Sequence, residues 1–234
     1  MMPPRVLVIV PAHNEEESLP GTLAELRAAA PGVGVLVVDD GSHDGTSRAA
    51  SEAGVSVVRH PVNLGVGGAL QTGFRWAVEN GFDIGVQLDA DGQHDPTYLE
   101  AVVAPVREGR CDVSIGSRFV EASGYRAPFN RRLGMVLFQA VVKLAIGKRI
   151  TDTTSGFRAY ALPVMKVCQH DFPKDFPDAP LLIGLARRGF RLDEVPVKMR
   201  ERQAGQSFYT LGKQLYYPYK NLLASLMALL RKPA

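Results

Sequence analysis

Where the apolar run 84–88 ends, the chain reads Asp89-Ala90-Asp91-Gly92-Gln93-His94, placing carboxylates, a glycine bend and an amide oxygen at the mouth of an expected strand. Such a set suits a hard divalent cation. Mg2+ and Mn2+ take oxygen ligands and keep part of their shell for water or substrate phosphates, so one or two carboxylates at a strand's end suffice. A second reading stays open on the same residues. They also fit an acidic turn before a helix that Asp95-Pro96 starts, because Asp at the N-cap and Pro at the first helical position are ordinary start signals.

Other polar clusters follow apolar runs in the same way. Pro11-Ala12-His13-Asn14-Glu15-Glu16 closes the first, Asp39-Asp40-Gly41-Ser42 the second and Asn63-Leu64-Gly65-Val66-Gly67 the third. Ionised Asp39 and Glu15 are acceptor-only groups suited to ribose hydroxyls or a base N–H, although Asp, Gly, Ser and Asn are also common turn residues. His13 has no assigned role beyond a base contact. Gly65, Gly67 and Gly68 allow backbone to approach a phosphate or nucleoside, and equally allow a tight helix entry. The first run leads to Pro11-Ala12-His13 rather than to a G-x-G-x-x-G turn, which disfavours dinucleotide-dependent hydride transfer.

The elements that must position these clusters are legible from pattern. Short β-branched runs at 6–10, 35–38, 55–58, 84–88 and 113–115 alternate with helical stretches at 15–30, 45–53, 65–79 and 95–108. That alternation predicts an α/β fold with a mostly parallel sheet flanked by helices. In such a sheet ligands sit outside the carboxyl ends of the strands, where all four clusters fall. Beyond residue 116 the alternation breaks: 131–147 is one helical pattern, 157–160 and 192–197 read as strands, and 210–231 as a terminal helix interrupted by Pro218.

The 234 residues are 46% hydrophobic and 22% charged, enough for one full core, which argues against extended disorder. Cys111 and Cys168 are too few for a disulfide framework and lack metal-finger spacing, which fits a reducing cytoplasm. The apolar stretch before Pro11 is too short for a signal peptide. A net charge of +3 does not call for nucleic acid, and none is expected as a partner. Arginines nevertheless gather late, at Arg118, Arg126, Arg131, Arg132, Arg149, Arg158, Arg200 and Arg202, suggesting an acidic, metal-binding half and a basic, anion-binding half.

Together with Asp152-Thr153-Thr154-Ser155-Gly156-Phe157-Arg158, these ordered motifs resemble family 2 of the GT-A glycosyltransferases, in particular its dolichol-phosphate mannose synthase branch and the bacterial polyprenyl-phosphate relatives. The resemblance spans about residues 5–210. It implies a GT-A (nucleotide-diphospho-sugar transferase) fold, a nucleotide-sugar donor (UDP- or GDP-linked), Mg2+ or Mn2+, and an inverting transfer. By position, Pro11, His13 and Glu15 would line the nucleoside pocket, with His13 where the family often has Tyr, and Asp39 would meet base or ribose. Asp89 would face the donor's ribose and diphosphate, and Asp91 with Gln93 would hold the metal. Arg118, Arg131 and Arg158 would contact phosphates, and Asp152 is the position sometimes proposed as base. The stretch from Arg200 through Arg202 to Ser207 resembles the basic loop over the donor diphosphate. The proline-rich 176–183 departs from many relatives, which carry an obvious acidic residue there.

An acceptor phosphate monoester, with a second pKa of roughly 6, is largely dianionic at neutral pH and needs little help from a base. Asp152 is therefore expected to order groups more than to deprotonate. The expected function is transfer of a hexose to a polyprenyl phosphate by an enzyme lying peripherally on the cytoplasmic face of the cell membrane. One rival takes a saccharide hydroxyl as acceptor, and another only binds nucleotide sugars. Residues 1–209 would form the catalytic domain. Residues 210–234, with Tyr216, Tyr217 and Tyr219 beside the apolar run 222–230, would form an amphipathic helix against the membrane surface or a small membrane protein. The apolar 133–146 with basic flanks is a second such helix.

Overall fold

The computed structural model describes residues 3–120, 143, 147, 150–173, 178–200, 223–225 and 227. Along the chain run β1 (Val6–Ala12), α1 (Leu19–Ala29), β2 (Gly34–Asp39), α2 (Thr46–Glu52), β3 (Ser56–Arg59), α3 (Val66–Glu79) and β4 (Ile84–Gln87). A 3-10 turn (Pro96–Tyr98), α4 (Leu99–Arg107), β5 (Val113–Ser117), β6 (Arg158–Ala161), α5 (Leu162–Cys168), α6 (Ala179–Arg187) and β7 (Leu192–Pro196) follow. The strands form one sheet in the order β3-β2-β1-β4-β6-β5-β7. All pairings are parallel except those of β6, which runs antiparallel to both β4 and β5.

Strand alternation divides the core. Leu7 and Ile9 face one side, with Leu70 and Phe74 of α3 and Val164 and Met165 of α5. Val8 and Val10 face the other, with Leu19, Leu23 and Leu26 of α1 and Leu99, Val102 and Val103 of α4. Burial on both faces explains why β1 reads as a continuous apolar run rather than an alternating one. On the α3 side Phe74 meets Tyr160 edge-on with ring centroids 5.0 Å apart and Phe172 at 5.4 Å. Gly73 lies flat against Ile9, whose Cγ2 already occupies the place a Cβ would take. This contact sets how closely α3 approaches β1.

Element by element, the expected strands are present with small shifts, and two helices were not foreseen. α5 opens Leu162-Pro163-Val164 directly out of β6, so its β-branched start reads as more strand. α6 lies in the proline-rich segment, where Pro180 stands in the first turn, a position at which the missing N–H costs the helix nothing. Two expected helices are shorter than their patterns. Residues 15–18 form a turn before α1, and 96–98 are 3-10 turn before α4. The helices expected at 131–147 and 210–231, and with them the division at residue 210, lie outside the described residues apart from isolated positions.

Replacing Gly73 by Ala forces a methyl into Ile9. A loss of about 1–3 kcal/mol is expected, read as a fall of about 2–4 °C in Tm per kcal/mol for a chain of this size. Thermal and urea unfolding of the two proteins side by side would show it.

Candidate active site

Because six strands run in one direction, the carboxyl ends of β1, β2, β3, β4, β5 and β7 meet on one rim, and reversed β6 begins there. Each polar cluster is thereby brought to the same edge. The β1 and β2 loops are tied together first. Asn14, in the left-handed region at φ 56°, accepts from the His43 amide on Oδ1 at 2.9 Å and donates its own backbone N–H to Ser42 Oγ at 2.9 Å. An amide side chain suits that backbone because it bonds locally there. His13 Nδ1 stands 2.9 Å from the Asp40 carbonyl, so this nitrogen carries the proton. Glu15 accepts from Ser18 Oγ at 2.5 Å while its amide donates to Thr46 Oγ1 at 2.9 Å. Pro11, on β1, is half-buried beside them.

Asp39 stands at the end of β2, and its carboxylate is already engaged. It accepts from the Ser42 amide at 2.9 Å and from the Ser47 hydroxyl, with Arg59 at 3.6 Å. Burial alone would raise its pKa, but these hydrogen bonds and the Arg59 charge outweigh burial and hold it below the usual carboxylate value. The side chain is fully buried among these partners and holds the turn that follows β2. Asp40 next to it accepts from the Leu64 and Gly65 amides at 2.9 and 2.7 Å and from His60 at 2.7 Å. Gly65, at φ 84°, thus enters α3 already clamped from below.

In the acidic loop after β4, Asp95 caps the following turn, as the Asp95-Pro96 start signal predicts, accepting from the Thr97 amide at 3.0 Å. Asp89 is left 39% exposed on the rim. Asp91 is buried and takes the Gln93 amide at 3.0 Å, across Gly92 at φ 75°. His94, assigned no role from its motif, is the residue that orients Asp89. Its Nδ1 accepts the Asp89 amide at 3.1 Å, which leaves the ring proton on Nε2, 3.7 Å from Asp89 Oδ2, and its ring stacks on Phe157 at 5.3 Å. Gly156 completes the seat. A Cβ there would lie 2.8 Å from Asp89 Oδ2 and 3.0 Å from Gln87 Nε2.

Asp89, Asp91 and Gln93 fit a hard cation by the chemistry of their oxygens and by the exposed Asp89 carboxylate. Among the described residues no group of three or more His, Cys, Asp or Glu forms a metal cage. A cation completed by substrate phosphates asks for no such cage.

On the far side of β6, Arg118 grips Asp152. Nε and Nη2 each lie 2.7 Å from a carboxylate oxygen, and the Arg118 amide adds a third bond at 3.1 Å. Burial pushes the Asp152 carboxyl up, yet the Arg118 bonds and charge win and its pKa is lowered. Two further residues expected to meet phosphate have protein partners. Arg158 is 1% exposed in the sheet and donates to the Thr153 carbonyl at 2.9 Å. Arg200 pairs with Glu25 at 2.5 Å and Asp95 at 3.0 Å, while its amide bonds the Gln93 carbonyl at 2.9 Å, so it braces the acidic loop from outside. Arg131, Arg202 and Ser207 lie outside the described residues.

A solved structure of glucosyl-3-phosphoglycerate synthase from Mycobacterium tuberculosis, in complex with Mn2+ and UDP-glucose, has a similar fold. The TM-score is 0.70 at 21% identity, over 99% of this chain and 80% of that one. The fold is GT-A, that of the nucleotide-diphospho-sugar transferases. The glycosyl transferase family 2 model matches residues 7–166, and the chain belongs to that family, as a glycosyltransferase. An undecaprenyl-phosphate mannosyltransferase of Micrococcus luteus is 39% identical over 212 residues, 87% of this chain and 86% of that protein. A polyprenol monophosphomannose synthase of Mycolicibacterium smegmatis is 35% identical over 214 residues, 87% of this chain and 80% of that protein.

Two outcomes are expected from this geometry. Gly156→Ala displaces the Asp89 carboxylate, so glycosyl transfer falls at least tenfold while Tm moves by only a few degrees; steady-state rates beside a melting curve measure both. Asp152→Asn costs about 2 kcal/mol at pH 7. Because the folded pKa of Asp152 is depressed, its contribution is full above the unfolded value near 3.8 and is lost as pH falls through the lower folded value. The stability gap between the two proteins should therefore close only below about pH 3.8, as read by urea titrations across pH.

Proposed function

We propose that this glycosyltransferase moves one hexose, with inversion, from a nucleotide sugar to a polyprenyl phosphate at the cytoplasmic face of the membrane, using a divalent cation. In the reaction an acceptor phosphate oxygen forms a bond to the sugar's anomeric carbon. The bond from that carbon to the donor diphosphate breaks, and the nucleoside diphosphate leaves with the electron pair. No proton has to move, because the acceptor is already a dianion.

One observation carries the choice of acceptor. Asp152, the carboxylate standing where a base has been suggested, is fully buried and held by Arg118, with a pKa lowered rather than raised. A general base for a sugar hydroxyl needs the opposite shift, since an alcohol does not ionise at neutral pH. A phosphate monoester needs no base. The reading is further supported by the two relatives named for mannosyl transfer to polyprenyl phosphates, which makes mannose the first sugar to try.

In this scheme Asp91 and Gln93 hold Mg2+ or Mn2+, which supplies positive charge where the leaving diphosphate gathers negative charge. Asp89 faces the donor, seated by His94 and Gly156. Pro11, His13 and Glu15 line the nucleoside side, with the Gly65 turn next to them, and Arg118 and Arg131 receive acceptor phosphate. Arg202 and Ser207, from the family resemblance, are assigned to the donor diphosphate. Among the described residues no helix is long and apolar enough to cross a membrane. Contact with lipid is assigned to the amphipathic segments read at 133–146 and 210–234, the second serving also as a dock for a small membrane protein.

The test is a transfer assay offering GDP-mannose and several UDP-sugars against undecaprenyl phosphate, with Mg2+, Mn2+ or chelator. Lipid-linked product that disappears with chelator, and at least a hundredfold lower kcat in Asp91→Ala, are expected. Transfer to free saccharides without transfer to the lipid phosphate would overturn the acceptor assignment, and undiminished turnover in chelator would overturn the metal.

A further inference from the structure

Glu194 stands on β7, the outer strand of the sheet, in register with Ile115 of β5. Its carboxylate is devoted to one short segment across the rim. Oε2 accepts the Thr151 amide at 2.7 Å, Oε1 accepts the Asp152 amide at 2.8 Å, and Thr151 Oγ1 lies 2.9 and 3.0 Å from the two oxygens. The Thr151 hydroxyl has one proton. Giving it to the carboxylate, it takes another from Ser117 Oγ at 3.0 Å. The Asp152 side chain, fixed at its backbone in this way, then receives the amide, Nε and Nη2 of Arg118. A continuous path runs from an edge-strand acid to the guanidinium.

The sheet does not require that acid. β7 is pinned to the core by Leu192, and its pairing with β5 is made by backbone groups. A half-buried carboxylate at this place costs desolvation that an apolar side chain would avoid. What it provides is acceptor capacity. Only an ionised carboxylate offers oxygen to every donor here, whereas an amide would turn N–H toward one of the backbone N–H groups.

We infer that Glu194 is a positioning residue for Arg118, holding residues 151 and 152 so that the guanidinium stands where the acceptor phosphate arrives. This rests on the acceptor-side assignment of Arg118 made above. The same stretch of chain, five and six residues on, also closes the metal loop, through the antiparallel bridge of Met199 with His94 and the bond from the Arg200 amide to the Gln93 carbonyl. Those contacts are made by backbone and do not use the Glu194 side chain, so loss of its carboxylate should act on the acceptor side and spare the donor.

The experiment is Glu194→Gln in the full chain, with each substrate varied in turn. KM for undecaprenyl phosphate should rise about tenfold, the loss of roughly one charge-assisted hydrogen bond, while KM for the nucleotide sugar stays within twofold. Hydrogen exchange at the Thr151 and Asp152 amides should quicken at least tenfold. Glu194→Asp, which keeps the charge but is a methylene short, should restore part of the acceptor affinity. Unchanged acceptor kinetics, or equal losses on donor and acceptor, would overturn the inference. If Glu194→Gln does not fold, Thr151→Val removes the hydroxyl leg alone and must show the same split in smaller degree. If the unaltered enzyme makes no polyprenyl-linked product, the proposed function falls. Exchange at residues 151 and 152 then decides for Glu194, and rates unchanged by the substitution overturn its role.

Discussion

Carboxylate oxygens capturing backbone amides hold this rim in shape. A parallel sheet ends in loops whose N–H groups have no ladder to join, and each unpaired donor taken from water costs free energy of the order of 1–3 kcal/mol. Here acids at strand ends and in the loops themselves take up those donors. Asp39 serves Ser42, Asp40 serves Leu64 and Gly65, Asp91 serves Gln93, and Glu194 serves Thr151 and Asp152. Asp44 adds the amides of Thr46 and Glu16. The loops are therefore fixed relative to one another before any substrate is present, as preorganised electrostatic catalysis requires.

The same economy governs the positive charges. Read along the chain, the late arginines look like a free anion-binding surface, but in space several face an acid. Arg118 faces Asp152, Arg188 faces Asp171, Arg191 faces Asp112, and Arg200 faces Glu25 and Asp95. The exposed pairs contribute little to stability. Their effect is on electrostatics, because an exposed guanidinium matched by a carboxylate, as at Arg191 and Arg200, attracts a distant anion less than its formal charge implies. Arg200 alone among these pairs reaches back to acids of the first hundred residues.

Much of the architecture could be read from residues alone, and the failures have physical causes. β1, β2 and β4 were legible because burial on both faces leaves unbroken apolar runs, and the rim followed from the rule that parallel strands present ligands at their carboxyl ends. α5 was hidden because Val164 and Val167 carry strand preference, while the packing of Val164 and Met165 beneath α3 overrides it. Of the candidate site, the acidic loop was visible as a motif. The inward turn of Asp39 was not, since an Asp before Gly-Ser reads alike whether it faces solvent or its own loop. His94 was in plain view beside the motif but could be given a role only once its ring was seen against the Asp89 amide. Glu194 leaves no local signature, because its partners lie more than forty residues earlier in the chain.

The reversed strand β6 has a consequence for how the protein is made. It fills the gap between β4 and β5, which no other strand among the described residues bridges. As the chain leaves the ribosome, β1 to β4 can pair as soon as they emerge, but the inner edge of β4 keeps its row of unpaired backbone groups until residues 158–161 arrive. During that interval the nascent chain presents the kind of open strand edge that recruits other chains. Synthesis at about 5–20 residues per second makes the wait a matter of seconds. The β4 edge is shut by a strand that begins at the rim, so closing the gap between β4 and β5 and assembling the Gly156 seat under Asp89 are one event in the life of the chain, with β7 still to join β5.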